Sequence, residues 1–128
     1  MYSHLILYVK DQQKSTEFYS RVFCTNPVLN VPGMTEFHLS NECTLGLMPY
    51  SSIHRLLGEE ITAPELANQN PCAELYIEVD NPHEYHGRSL ISGGTELSGI
   101  KKRDWGHTVG YSKDIDGHII AFAKASDD

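Results

Sequence analysis

His4 and Glu74 are the two side chains whose types and placement could do chemistry together. Each heads an alternating strand, His4-Leu5-Ile6-Leu7-Tyr8-Val9 and Glu74-Leu75-Tyr76-Ile77-Glu78-Val79, and an Asp follows each strand within a residue or two. Imidazole and carboxylate are donors for divalent metals, and a carboxylate whose pKa is raised by burial can act as a general base. Glu74 is therefore the candidate catalytic residue, and His4 with Glu74 the candidate metal pair. A catalytic ion needs about three protein ligands and an open position. Glu78 shares the strand face of Glu74, and His38 and His107 stand on neighbouring strands as further donors. The alternative is structural: a carboxylate facing an enclosed space is costly unless partnered, so Glu74 could simply pair with His4. A second group, Tyr8, Met48, Tyr76 and Trp105, has the chemistry to line an aromatic cleft around a small-molecule ligand, and equally to serve as core.

These residues must be positioned by a repeat. Phe18-Tyr19-Ser20-Arg21-Val22-Phe23 and Tyr85-His86-Gly87-Arg88-Ser89-Leu90 carry an aromatic, an Arg and a large apolar residue at the same spacing. In the first copy, Asp11 is placed to cap a helix running to about Phe23, which Asn26-Pro27 ends. Strands follow at 28–31, 35–39 and 44–48, with turns at Pro32-Gly33 and Asn41-Glu42. Ser51-Ser52 is expected to cap a short helix through Ile53, Leu56 and Leu57, stopped at Gly58, and Pro64 and Pro71 make the rest of the connector a loop. In the second copy a strand runs from Glu74 to Asp80, Asn81-Pro82 opens a helix and Gly93-Gly94 closes it. Strands follow at 95–100, 107–112 and 118–125. Asp114-Ile115-Asp116-Gly117 is a turn; it lacks the later glycine and closing Glu of a calcium loop. Each module reads β-α-β-β-β, over residues 1–50 and 72–128 with a connector at 51–71. Modules this short are expected to share the core of one 128-residue domain.

With these elements drawn, the sequence resembles the vicinal oxygen chelate superfamily of glyoxalases, bleomycin- and fosfomycin-resistance proteins and extradiol dioxygenases. The resemblance is carried by Ser3 to Asp11, by the helix ending Glu17-Phe18-Tyr19-Ser20-Arg21-Val22-Phe23, and by a tail containing Trp105-Gly106-His107, Gly110-Tyr111-Ser112 and Asp114-Ile115-Asp116-Gly117-His118. It implies an α+β fold in which two pseudo-symmetric βαβββ modules form curved mixed sheets around a cavity, commonly within a homodimer. It also implies a metal site with one ligand from the first and last strand of each module. His4 matches the first position. Gly46 stands where a carboxylate or amide is common, Glu74 where His is usual, and Ala121 where the metal-binding Glu usually sits. Two of the four positions thus lack a donor. The leading expectation is a small-molecule-binding protein that needs no cofactor. The alternative is a lyase, isomerase or dioxygenase using Fe, Mn, Ni or Zn on a substrate with adjacent oxygens. A ligand-free interaction module is a third reading.

Composition narrows the partners. Ten Lys+Arg against seventeen Asp+Glu give a net charge of −7, which opposes a nucleic-acid backbone. The single basic run, Lys101-Lys102-Arg103, reads as a solvated strand end. No apolar run approaches the roughly 20 residues that span a bilayer, and no leader-like segment opens the chain. Cys24, Cys43 and Cys72 form no disulfide framework; they read as buried small hydrophobes in a cytoplasmic protein. His54, His83 and His86 fall on helices expected at the surface. No nucleophile elbow, P-loop or dinucleotide-binding glycine pattern is present.

Overall fold

A computed structural model describes residues 1–66 and 71–126. The elements run β1 (Ser3–Val9), α1 (Gln12–Phe23), β2 (Leu29–Val31), β3 (Met34–Ser40), β4 (Cys43–Pro49), α2 (Tyr50–Leu57), β5 (Glu74–Glu78), α3 (Pro82–Ile91), β6 (Thr95–Lys102), β7 (His107–Lys113) and β8 (Ile119–Ala125). They build two four-stranded mixed sheets of the same order, β1-β4-β3-β2 and β5-β8-β7-β6. The first strand of each copy pairs parallel with the last, and the remaining pairs are antiparallel. This is the repeated βαβββ, α+β architecture expected from the sequence. Contacts divide the described residues into two compact units: 1–20 with 24–66, and 21–23 with 71–126.

In the first unit, Asp11 caps α1 as expected, its Oδ1 accepting from the Lys14 amide at 3.0 Å. The helix buries Ser15, Thr16, Phe18 and Tyr19 against the sheet face of Phe37, Leu45 and Leu47, with the Tyr19 and Phe37 rings 6.5 Å apart. Each large apolar side chain removed from water here contributes about 1.5–3 kcal/mol. The helix ends before Asn26-Pro27. Cys24 adopts a left-handed conformation (φ 51°), and the Thr25 amide reaches back to the Ser20 carbonyl at 3.1 Å.

In the second unit, the Asn81 side chain accepts from the Glu84 amide at 3.4 Å and Pro82 occupies the first turn of α3. The buried positions Pro82, His86 and Ser89 recur at helical spacing and face β7 and β8. Gly110 makes that approach possible: a Cβ there would lie 2.5 Å from Ile100 Cγ1 and 2.9 Å from His86 Nδ1. The Arg88 Nε donates to the Val22 carbonyl at 3.0 Å, tying the last turn of α1 to this unit. The Asp114–Gly117 turn forms as expected, Asp114 Oδ1 accepting from the amides of Asp116 and His118.

Several local expectations are corrected. α2 opens at Tyr50 directly after β4, with Pro49 at the cap position and no side-chain cap, so Ser51 and Ser52 lie inside it. Its anchor is the buried Ile53. Gly58 (φ 53°) ends it by leading into a 3-10 turn at Gly58–Glu60, and a second such turn forms at Pro64–Leu66. The rest of the expected loop, 67–70, lies outside the described residues. Cys24 and Cys72 are exposed and Cys43 is partly buried, and none of the three is in a disulfide; Cys24 follows the chain out as α1 terminates. His86 is buried, because its helix position faces the sheet, and its Nε2 lies 2.8 Å from Glu96 Oε2. His54 sits 3.0 Å from Glu65. The Glu65 carboxyl is held below its usual range, first by a backbone hydrogen bond and then by that imidazole. Arg103 is no solvated strand end. Its guanidinium donates to the Val109 and Gly99 carbonyls and to Ser98 Oγ.

Candidate functional site

Each sheet has one face covered by its own unit's helix and one that this helix leaves uncovered. On the uncovered face of the first sheet, register places His4 beside Thr44 and His38, Ile6 beside Gly46 and Glu36, and Tyr8 beside Met48. His4 finds its carboxylate within this sheet: Nδ1 lies 3.6 Å from Glu36 Oε2. Its ring also tilts against Tyr2, whose hydroxyl bonds Thr44 Oγ1. A Cβ on Gly46 would lie 3.1 Å from both Ile6 Cγ1 and Met34 Sδ. Apolar atoms therefore occupy the space into which a donor side chain at position 46 would project.

On the uncovered face of the second sheet, the rows are Glu74-Ile119-Lys113, Tyr76-Ala121-Tyr111 and Glu78-Ala123-Val109. Register makes Tyr76 the counterpart of Ile6, Ala121 of Gly46, Tyr111 of Glu36 and Glu74 of His4. Ala121 is fully buried beneath Tyr76 and Tyr111. The tight Gly106 turn (φ 95°) before β7 sets Trp105 and His107 on either side of Tyr76. Trp105 Nε1 donates to the Tyr76 oxygen at 3.0 Å, and that oxygen lies 2.7 Å from His107 Nδ1. The Arg103 guanidinium stands 5.2 Å from the Tyr111 ring centroid. Burial pushes the Tyr111 phenol pKa up; Glu74 and then Tyr76 add to this, and Arg103 opposes it. Glu74 and Glu78 are exposed and have no hydrogen-bond or ion-pair partner among the described residues.

The expected site residues thus divide. Tyr8 and Met48 are cross-strand neighbours in the first sheet, and Tyr76 and Trp105 are hydrogen-bonded in the second. His107, Tyr111, Arg103 and Glu36 complete the two faces. His107 was visible as a strand histidine, but the others enter through pairing register. A shallow hollow of about 330 Å³ opens elsewhere on the second unit, between Asp80, His83, Thr108 and Lys124; it contains none of the expected ligand-binding residues.

The donor set fits a divalent ion poorly. Position 46 is a glycine closed over by Ile6 and Met34, position 121 is a buried alanine, and His4 is engaged by Glu36. Among the described residues, no group of three or more His, Cys, Asp or Glu side chains is arranged to hold a metal. No described helix is long and apolar enough to cross a membrane.

Comparison with known proteins agrees with this architecture. The model of a family described as Glyoxalase/Bleomycin resistance protein/Dioxygenase superfamily matches residues 2–122. No functionally curated protein matches the chain. Among solved structures, a glyoxalase-related enzyme from Fulvimarina pelagi superposes with a TM-score of 0.80 at 23% identity, covering 97% of this chain and 87% of its own. A hypothetical protein from S. aureus gives 0.79 at 19% identity, over 98% and 92%. A glyoxalase/bleomycin resistance protein from Albidiferax ferrireducens gives 0.74 at 19% identity, over 98% of each chain. At these identities the likeness is one of fold.

Proposed function

The chain belongs to the glyoxalase, bleomycin resistance protein and dioxygenase superfamily, and on that premise we propose that it is a metal-independent small-molecule-binding protein. Its ligand would meet the uncovered face of the second sheet. The observation that carries this reading is the fixed cluster Trp105–Tyr76–His107, whose Tyr76 packs against the buried Ala121 group. Trp105 is 55% exposed, yet its indole N–H is held in place, so a flat apolar surface is presented at little ordering cost. Tyr76 and Tyr111 extend it, and Glu74 and Glu78 add polar contacts. A pocket of this kind needs shape and a few placed polar groups rather than bond chemistry. The filled positions at Gly46 and Ala121 support independence from metal.

A saturable thermal shift from a panel of aromatic and cationic compounds is expected, unchanged by chelator and lost in Trp105→Ala. A panel without a saturable hit, or shifts that vanish with chelator, would count against the reading.

One observation favours a second reading. Glu74 is unpartnered and exposed, free to act as a ligand or base, so a divalent-metal enzyme of lyase, isomerase or dioxygenase type would use it in one of those roles. Activity abolished both by chelator and by His4→Ala would mark that case. We further propose a cytoplasmic homodimer. Three cysteines outside any disulfide support the location, and the exposed apolar residues Val28, Leu29 and Val31 on and beside the edge strand β2 support the assembly. Light scattering of the purified chain reads the assembly directly.

A further inference from the structure

The hydrogen bonds around Tyr76 fix what its hydroxyl can still offer. An indole nitrogen only donates, so in the Trp105–Tyr76 bond the phenol oxygen is the acceptor. Between Tyr76 and His107, imidazole nitrogen is the stronger acceptor and phenol the stronger acid. The 2.7 Å separation matches the commonest length of a hydroxyl-donated bond. Tyr76 therefore donates to Nδ1, and neutral His107 carries its proton on Nε2. The single proton of Tyr76 is committed, and what remains open is an oxygen lone pair.

The carboxylates on this face reinforce that polarity. Along β5, Glu74 and Glu78 flank Tyr76 on the same face and are acceptors as well. The Arg103 donors are directed to Val109, Gly99 and Ser98. Lys113 shares the face two strands away, in the row of Glu74.

We infer that this face selects a flat aromatic ligand carrying an N–H or O–H group, which donates to the Tyr76 oxygen while the ring lies against Trp105. The inference rests on the small-molecule-binding reading and specifies its ligand class. A ligand of the same shape offering only acceptors would leave the Tyr76 lone pair desolvated and unpaired.

The test is calorimetric titration of the intact protein with indole and with benzofuran, which have nearly the same shape but differ in the N–H. It is run at mildly alkaline pH, where imidazole is neutral. Indole is expected to bind about 10-fold more tightly. In Tyr76→Phe, which keeps the ring, the preference should fall to within about 2-fold. Nitrogen-15 NMR of His107 provides a ligand-free check, with Nδ1 expected bare and Nε2 protonated. Equal affinity for the two compounds, or a proton found on Nδ1, overturns the inference and leaves the binding reading standing. Failure of both compounds to bind overturns the proposed ligand class, and the wider thermal-shift panel then decides whether the binding reading falls with it.

Discussion

The two uncovered sheet faces share one scaffold and have been filled by opposite chemistry. In the first, the central row is Ile6-Gly46-Glu36, and its carboxylate turns to His4. In the second, the equivalent row is Tyr76-Ala121-Tyr111, where aromatic rings roof a small buried residue while the acids along β5 stay unpartnered. A repeated backbone fixes which positions face the same way, but it does not fix what occupies them. The donor types have parted accordingly. His4 stands 3.6 Å from Glu36 Oε2, whereas Glu74 faces outward and acts on Tyr111 by its charge. The difference is the ground on which the ligand face is proposed for the second sheet.

Writing the family's donors back is the strongest way to break this comparison. Ala121→Glu would place a carboxylate at a fully buried site beneath two tyrosines, and a loss of about 3 kcal/mol or more is expected in urea unfolding. Gly46→Asp, meeting Ile6 and Met34 at 3.1 Å, should cost about 2 kcal/mol. Divalent-ion binding gained by the double variant without loss of stability would show that both positions still accept ligands. Removing one oxygen sharpens the contrast next. Tyr76→Phe strands the Trp105 donor and the His107 acceptor, for about 1–2 kcal/mol and a shift in the emission of the chain's one tryptophan. On the first face, His4→Ala removes only a partly exposed 3.6 Å imidazole–carboxylate contact, so unfolding should move by under about 1 kcal/mol.

The smallest effect is electrostatic. Tyr111 has its pKa raised by burial first and by Glu74 second, so the folded state holds that proton longer than the unfolded chain does. Its contribution to stability is complete below the ordinary tyrosine value of about 10 and is lost as pH climbs through the raised value. Absorbance titration of the phenols should show Glu74→Gln bringing Tyr111 part of the way back down, with no comparable change from Glu36→Gln on the other face.

Much of the fold was legible because both strands and helices announce themselves locally. The alternation at His4–Val9 and Glu74–Val79, the Asp11 and Asn81 caps and the Asp114–Gly117 turn all depend on residues within a few positions of one another. Gly46 and Ala121 stand out through the family resemblance alone, at two of the four strand positions from which it implies metal ligands. What could not be read was pairing across the sheet. Glu36 as the partner of His4, and Tyr111 as the neighbour of Ala121, follow from register between strands that are distant in sequence. Arg103 looked like the end of a basic run because its acceptors, the Val109 and Gly99 carbonyls, are brought to it by β6 folding against β7. His86 looked exposed because Gly110, which makes room for it, lies on another strand.

Metal content tests the central claim most directly. The untagged protein would be exposed to manganese, iron, nickel and zinc, desalted, and analysed by mass spectrometry beside His4→Ala. The account predicts that neither protein retains metal near stoichiometry, and that ligand-induced thermal shifts are the same before and after the exposure. Stoichiometric retention by the wild type, lost in His4→Ala, would contradict it and move the chemistry to His4 and Glu74.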